Sequence, residues 1–222
     1  MLAVHDHWAT CPHAAHPHRA HRQLAFAVYY VLAEAYGASN VVGGPLGEMR
    51  GLREDGTRPA DILVTDRDDT SIAVDVVVAS PFTASLPVQR EYASRPGLPA
   101  RRAEDRKFRR DYRDSVRALV GRPGMRFVPC AVDEFGRLAP HFVALLREAA
   151  ASKARLDAAR RTAWLARHVG GDAAGPLALS VRGRAAELLT GWVARISWAV
   201  HSAHAHGVTA ARSLTARAAT VG

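Results

Sequence analysis

The chain has 222 residues, enough for one or two domains with a core of their own, and its two cysteines, Cys11 and Cys130, are too few for a disulfide framework. Thirty basic residues against 21 acidic ones give a net charge of +9, which favours a polyanionic partner such as nucleic acid. No apolar run reaches the roughly 18 residues of a membrane span. The start is rich in histidine (His5, His7, His13, His16, His18, His21) where a signal peptide needs an apolar stretch. Secretion is therefore not expected, and a soluble protein of a reducing compartment is. Only two of the basic residues are lysines, Lys107 and Lys153. A lysine kept in so arginine-rich a chain is a candidate for chemistry.

Residues 1–17 have no clear period and read as an irregular segment. From His18 to Tyr36 the apolar positions Leu24, Ala27, Val28, Val31, Leu32 and Ala35 recur at three and four residues, which predicts an amphipathic helix stopped by Gly37. Asn40–Leu46 reads as a short strand, followed by a polar loop from Gly47 to Arg58. Asp61–Val64 and Ser71–Ala79 are β-branched runs separated by a turn-forming segment, which predicts a hairpin. The Pro-punctuated stretch Pro81–Pro99 reads as a long loop near a ligand. Ala103–Val120 reads as a charged helix with Phe108, Tyr112, Val116 and Leu119 on one side, and Arg126–Val132 as a fourth strand. Two helices are then expected, Pro140–Val169 and Leu177–Ala205, with a basic tail from about 208 that frays. The order through residue 132 is αβββαβ, a small mixed sheet flanked by helices. The expected division is an irregular segment at 1–17, an α/β domain at 18–150 and a helical extension at 151–222.

Asp61 opens one strand of the predicted hairpin and Asp75 lies inside the other, so adjacent antiparallel strands bring two carboxylates together. Two hard oxygen ligands with waters and a phosphate oxygen suit Mg²⁺ (or Mn²⁺), and a nearby ammonium, Lys107, would stabilise developing negative charge. Each residue also has a plainer reading. Asp61 can cap a turn, Lys107 sits among Arg106, Arg109 and Arg110 on what can be a solvated helix face, and Asp75 can lie at an exposed edge. Asp75 is the hardest to read that way, because a carboxylate inside an apolar strand costs several kcal/mol unless paired or metal-bound.

Taken together, several stretches resemble the endonuclease domain of site-specific non-LTR retrotransposon (reverse-transcriptase) polyproteins, of the restriction-like PD-(D/E)XK superfamily. They are His7-Trp-Ala-Thr-Cys11, His18-Arg-Ala-His21, Arg58-Pro-Ala-Asp-Ile-Leu-Val64, Ala73-Val-Asp-Val-Val-Val-Ala-Ser-Pro81, Ala103-Glu-Asp-Arg-Lys107 with Tyr112, and Phe127-Val-Pro-Cys-Ala-Val-Asp-Glu-Phe-Gly136. The resemblance covers roughly residues 5–145 and implies a restriction-endonuclease-like αβββαβ core. It also implies a metal-dependent DNA endonuclease that nicks target DNA for element insertion, with a nuclear location. Asp61 and Asp75 are the implied metal ligands and Lys107 the catalytic lysine. The motif here is Pro-Ala-Asp in place of Pro-Asp, and Val77 stands two residues after Asp75, so the lysine comes from the later helix. Lys107 lies five residues before Tyr112, against four in the family.

The implied partner is DNA, with element RNA as a further one, held by His21, Arg58, Arg102, Arg106, Arg109 and Arg110 beside the site. His7 and Cys11 match the second half of a zinc knuckle that precedes this domain in such elements. They close a tetrahedral zinc site only if His5, His13, His16 or His18 supplies the missing ligands. Glu34 is a candidate third acid, with a surface helix glutamate as its plainer reading. Trp164, Trp192 and Trp198 are expected to pack the C-terminal helices. The alternative to a nuclease is a catalytically inactive basic nucleic-acid-binding module with the same fold. A third reading is an interaction protein whose C-terminal helices bind a partner.

Overall fold

The computed structural model describes residues 16–43, 60–65, 70–81, 85–111, 124–168 and 177–220. Helix α1 (His16–Tyr36) buries Leu24, Val28, Val31 and Leu32, spaced at three and four residues, and ends at Gly37, whose φ of 97° suits only glycine. Three short strands follow as an antiparallel meander: β1 (Val41–Gly43), β2 (Ile62–Thr65) and β3 (Ser71–Ala79). The fourth, β4 (Met125–Asp133), pairs with β3 in parallel, giving the sheet order β1-β2-β3-β4. Parallel neighbours need a crossover. Here it contains α2 (Leu86–Ser94), α3 (Leu98–Arg106) and a π-helical turn, Lys107–Asp111.

The stretch expected to be a long loop thus contains a helix, α2. Its prolines sit where helices tolerate them: Ser85 is the N-cap of α2 and Gly97 that of α3, and Pro87 and Pro99 stand in the first turns, where a missing N–H loses no bond. The charged helix starts five residues earlier than expected, at Leu98, and residues 112–120 lie outside the described ones.

Period-two alternation sorts the sheet's residues onto two faces. Ile62, Val64, Ile72, Val74, Val76, Val128 and Cys130 join the main core with α1. On the other face Ala79 and Ala131 pack against Ala100 and Ala103 of α3, so that α3 lies close to the sheet, while Ala73 and Phe127 meet Phe108. Helix α4 (Pro140–His168) contributes Phe142, Leu145, Leu146, Ala149, Ala150 and Ala154 to the main core, and α5 (Leu177–Thr220) contributes Leu188, Trp192, Ile196 and Val200. The division expected at residue 150 falls inside α4, where the core continues without a break. Helix α5 runs on past residue 208, where fraying was expected, to Thr220. No described helix is long and apolar enough to cross a membrane.

Candidate active site

The site lies on the α3 face of the sheet. Asp75 projects from the middle of β3 between Ala73 and Val77 on that face, and it is buried. Burial demands a partner, and Lys107 supplies it: its Nζ lies 2.9 Å from Asp75 Oδ2, with side chains 18% and 7% exposed.

Asp61 stands just before β2. Its N–H donates to the Val74 carbonyl at 2.9 Å, which extends the β2–β3 register by one residue and sets Asp61 opposite Asp75. The Asp61 carboxylate is held from two sides. Oδ2 accepts the Val76 N–H at 2.7 Å and lies 3.3 Å from His21 Nε2 on α1. That hydrogen bond, reinforced by the charges of Asp61 and Asp75 and opposed by burial, raises the His21 pKa above its ordinary 6.5. His21 thus faces the Asp61 carboxylate from α1 while its side chain stays 43% exposed. β1 comes in close beside this corner because Gly43 has no side chain: a Cβ there would collide with the Asp61 carbonyl oxygen.

Lys107 is aimed by its helix. Ala100 and Ala103 seat α3 on the sheet, and the Phe108 ring meets Phe127 edge-on at 5.9 Å. The π-helical turn begins at Lys107 itself. Such a turn inserts one residue into a helix and frequently occurs at functional sites.

One turn before Lys107, Glu104 is buried and not solvated. Its Oε1 accepts the His141 N–H at 3.0 Å and its Oε2 lies 2.9 Å from His141 Nδ1, tying α3 to the start of α4. The Cys130 thiol is pushed well above its ordinary pKa of 9.0, first by burial and then by the charges of Asp75, Glu104 and Asp61. It is an inert core thiol.

No family model matches the chain, and neither the curated proteins nor the solved structures hold a significant match to it. The site must be read from its own geometry.

Asp61 and Asp75 fit a divalent cation in the chemistry of their donors. Both are hard carboxylates on adjacent strands, and Mg²⁺ is commonly held by one or two carboxylates, with waters and substrate phosphate completing the octahedron. Among the described residues no group of three metal-ligating side chains forms. Glu34, the candidate third acid, is turned away: its Oε2 accepts from Trp192 Nε1 and Arg195 Nη1, each at 3.2 Å, so it serves the α1–α5 contact.

Of the basic residues, Arg106 and Arg109 are exposed near the end of α3, beside Lys107. Arg102 is committed elsewhere, donating to Glu91 Oε2 at 2.7 Å and lying over the Tyr92 ring of α2. Arg58, His7, Cys11 and the side chain of Arg110 lie outside the described residues. Glu104, His141 and Gly43 were missed in the sequence. A charged helix offers no sign of which glutamate is buried, and a glycine after two valines reads as the end of a strand.

Proposed function

We propose that the chain is a metal-dependent nuclease that nicks DNA, with Asp61 and Asp75 as the metal-holding pair and Lys107 as the catalytic lysine. The observation that carries this reading is the Lys107 Nζ contact to Asp75, 2.9 Å, beside an Asp61 that stands opposite Asp75 in the sheet. A structural ion pair alone would not need a second carboxylate at that point.

A bound divalent ion supplies Lewis-acid polarisation of the phosphodiester and a more acidic water. The protein's residues do the rest. Asp61 and Asp75 give two fixed oxygen positions, with Asp61 oriented by the Val76 N–H and by His21. The Lys107 ammonium stands where a non-bridging phosphate oxygen gains charge in the transition state, and its low exposure strengthens that interaction. Hydrolysis adds one water across one P–O ester bond: the water oxygen joins phosphorus and the leaving sugar oxygen takes up a proton. Exposed Arg106 and Arg109 draw in the polyanionic backbone without reading its sequence. The order of motifs quoted above supports a role in retroelement insertion, in the nucleus.

A second reading keeps the fold and loses the chemistry, giving a basic nucleic-acid-binding module. It is favoured by the same ion pair, since the Lys107 ammonium neutralises the carboxylate that a metal would use. The deciding experiment is nicking of supercoiled plasmid with Mg²⁺ or Mn²⁺, with EDTA as control. Metal-dependent nicking that falls by about 100-fold or more in both Asp75→Asn and Lys107→Met is expected. Absence of nicking with salt-sensitive DNA binding intact would establish the second reading, and undiminished nicking by both variants would overturn the site.

A further inference from the structure

The distal half of α4 is rich in exposed arginine and carries an exposed tryptophan. From residue 155 onward it leaves the main core, and Arg160, Trp164, Arg167 and His168 are all exposed. These four stand at intervals of four, three and one residues, which places them on one stripe of the helix. Trp164 is 52% exposed, and its indole stacks on the His168 ring with centroids 4.7 Å apart and planes 18° from parallel. His168 Nδ1 meets the Trp164 carbonyl at 2.8 Å, which holds the pair flat. Arg167 Nε donates to the Ala163 carbonyl at 3.1 Å. Among the described residues no acidic side chain pairs with Arg160 or Arg167. Residues 155–168 contain four arginines and a single acid, Asp157, which faces Lys153 and Arg184 instead.

Trp164 thus presents an aromatic face between exposed arginines. A protein groove would call for aliphatic neighbours, and a membrane surface for an apolar stripe. An aromatic plane flanked by guanidinium groups matches a nucleic-acid strand whose phosphates meet the arginines and whose unpaired base stacks on the ring. We propose that the stripe Arg160–His168 of α4 is a binding surface for single-stranded nucleic acid, separate from the carboxylate–lysine site. At 1.5 Å per residue, Trp164 lies about 35 Å along α4 from His141, which is tied to Glu104 beside that site. The same strand can therefore occupy both places only if it is several nucleotides long. The proposal rests on the nuclease reading for the class of its occupant, and its charge and aromatic geometry stand independently.

The test uses the full chain in EDTA and the anisotropy of a labelled 20-nucleotide single strand, as DNA and as RNA, with a 20-base-pair duplex for comparison. Trp164→Ala is expected to weaken single-strand binding by about 10-fold with its salt dependence unchanged, and to alter duplex binding less. Arg160→Gln with Arg167→Gln is expected to weaken binding and to lower the slope of log K against log salt by about 1.4. All three positions are exposed, so the melting temperature of each variant should match the parent. Wild-type affinity in all variants overturns the surface while leaving the nuclease reading intact. Absence of strand binding by the parent overturns the surface, and metal-dependent plasmid nicking by the same protein then still upholds the nuclease reading. Loss of binding in the stripe variants, in a parent that binds strand but does not nick plasmid, upholds the surface and removes the nuclease. Strand binding unaffected by the variants, with a change in oligomeric state instead, assigns the stripe to a second copy of the chain and overturns the proposal.

Discussion

Removing Lys107 while keeping Asp75 takes the ammonium from beside a carboxylate whose side chain is 7% exposed. Lys107→Met is accordingly expected to lower stability by about 3 kcal/mol, and adding Asp75→Asn to recover part of it, because a buried charge that loses a close partner costs more than a missing pair. Urea melts of the two variants check this. Glu134 carries a different electrostatic load. Burial, with a smaller contribution from the charge of Asp133 and against a hydrogen bond from Ser80, raises its carboxyl from 4.5 to about 7. The folded protein thus holds this proton more tightly than the unfolded chain does. The stability it contributes is full below pH 4.5 and is lost as pH rises toward 7, by on the order of 2–3 kcal/mol. Chemical denaturation at a series of pH values should show that fall in the parent and a flatter profile in Glu134→Gln; an equal slope in both would remove Glu134 as its origin.

At the scale of elements, close approach matters as much as charge. Gly43, with φ of 102°, lets β1 lie against the backbone of Asp61. Gly43→Ala is expected to cost roughly 1–3 kcal/mol by overpacking and to reduce nicking by about 10-fold or more through displacement of Asp61, read by thermal melting and the plasmid assay together. Gly136 plays a similar part at the far end of β4, where a Cβ would stand 2.8 Å from Ser197 Cβ of α5. The elements themselves were largely legible. β3 has the span that its β-branched run predicts, and the buried face of α1 is the one its spacing marks out. Helix α2 was hidden because Pro87 and Pro99 signal a break in any linear reading, and only their place in a first turn makes them helix starters. The π-helical turn was hidden because a slipped hydrogen bond leaves no trace in composition. At the site, Asp75 and Lys107 could be found because each breaks a local rule: a charge in an apolar strand, a lysine among arginines. The place of Glu34 was not legible because a helix shows which residues share a face and not what covers that face. Its cover is Trp192, 158 residues away. The tryptophans divide for the same reason: Trp192 fills the core, whereas Trp164 and Trp198, expected to pack as well, are 52% and 72% exposed.

Across the whole molecule, the charge of +9 is spread unevenly. Among the described residues, Arg106 and Arg109 stand beside the site and the stripe on α4 far from it, a spacing that a long polyanion could bridge and a small anionic ligand could not. The sheet also has two kinds of neighbour, and this imposes an order on how the site is assembled. β2 and β3 are joined by five residues, so the meander closes a small loop, whereas β3 and β4 are separated by 45 residues that include all of α2 and α3. Long closures come late in folding. Asp61 and Asp75 are therefore expected to meet, with like charges facing, before the helix that leads into Lys107 has docked. The lysine acts as a latch that arrives after the strands: in stopped-flow experiments its loss should speed unfolding while leaving the refolding rate close to that of the parent.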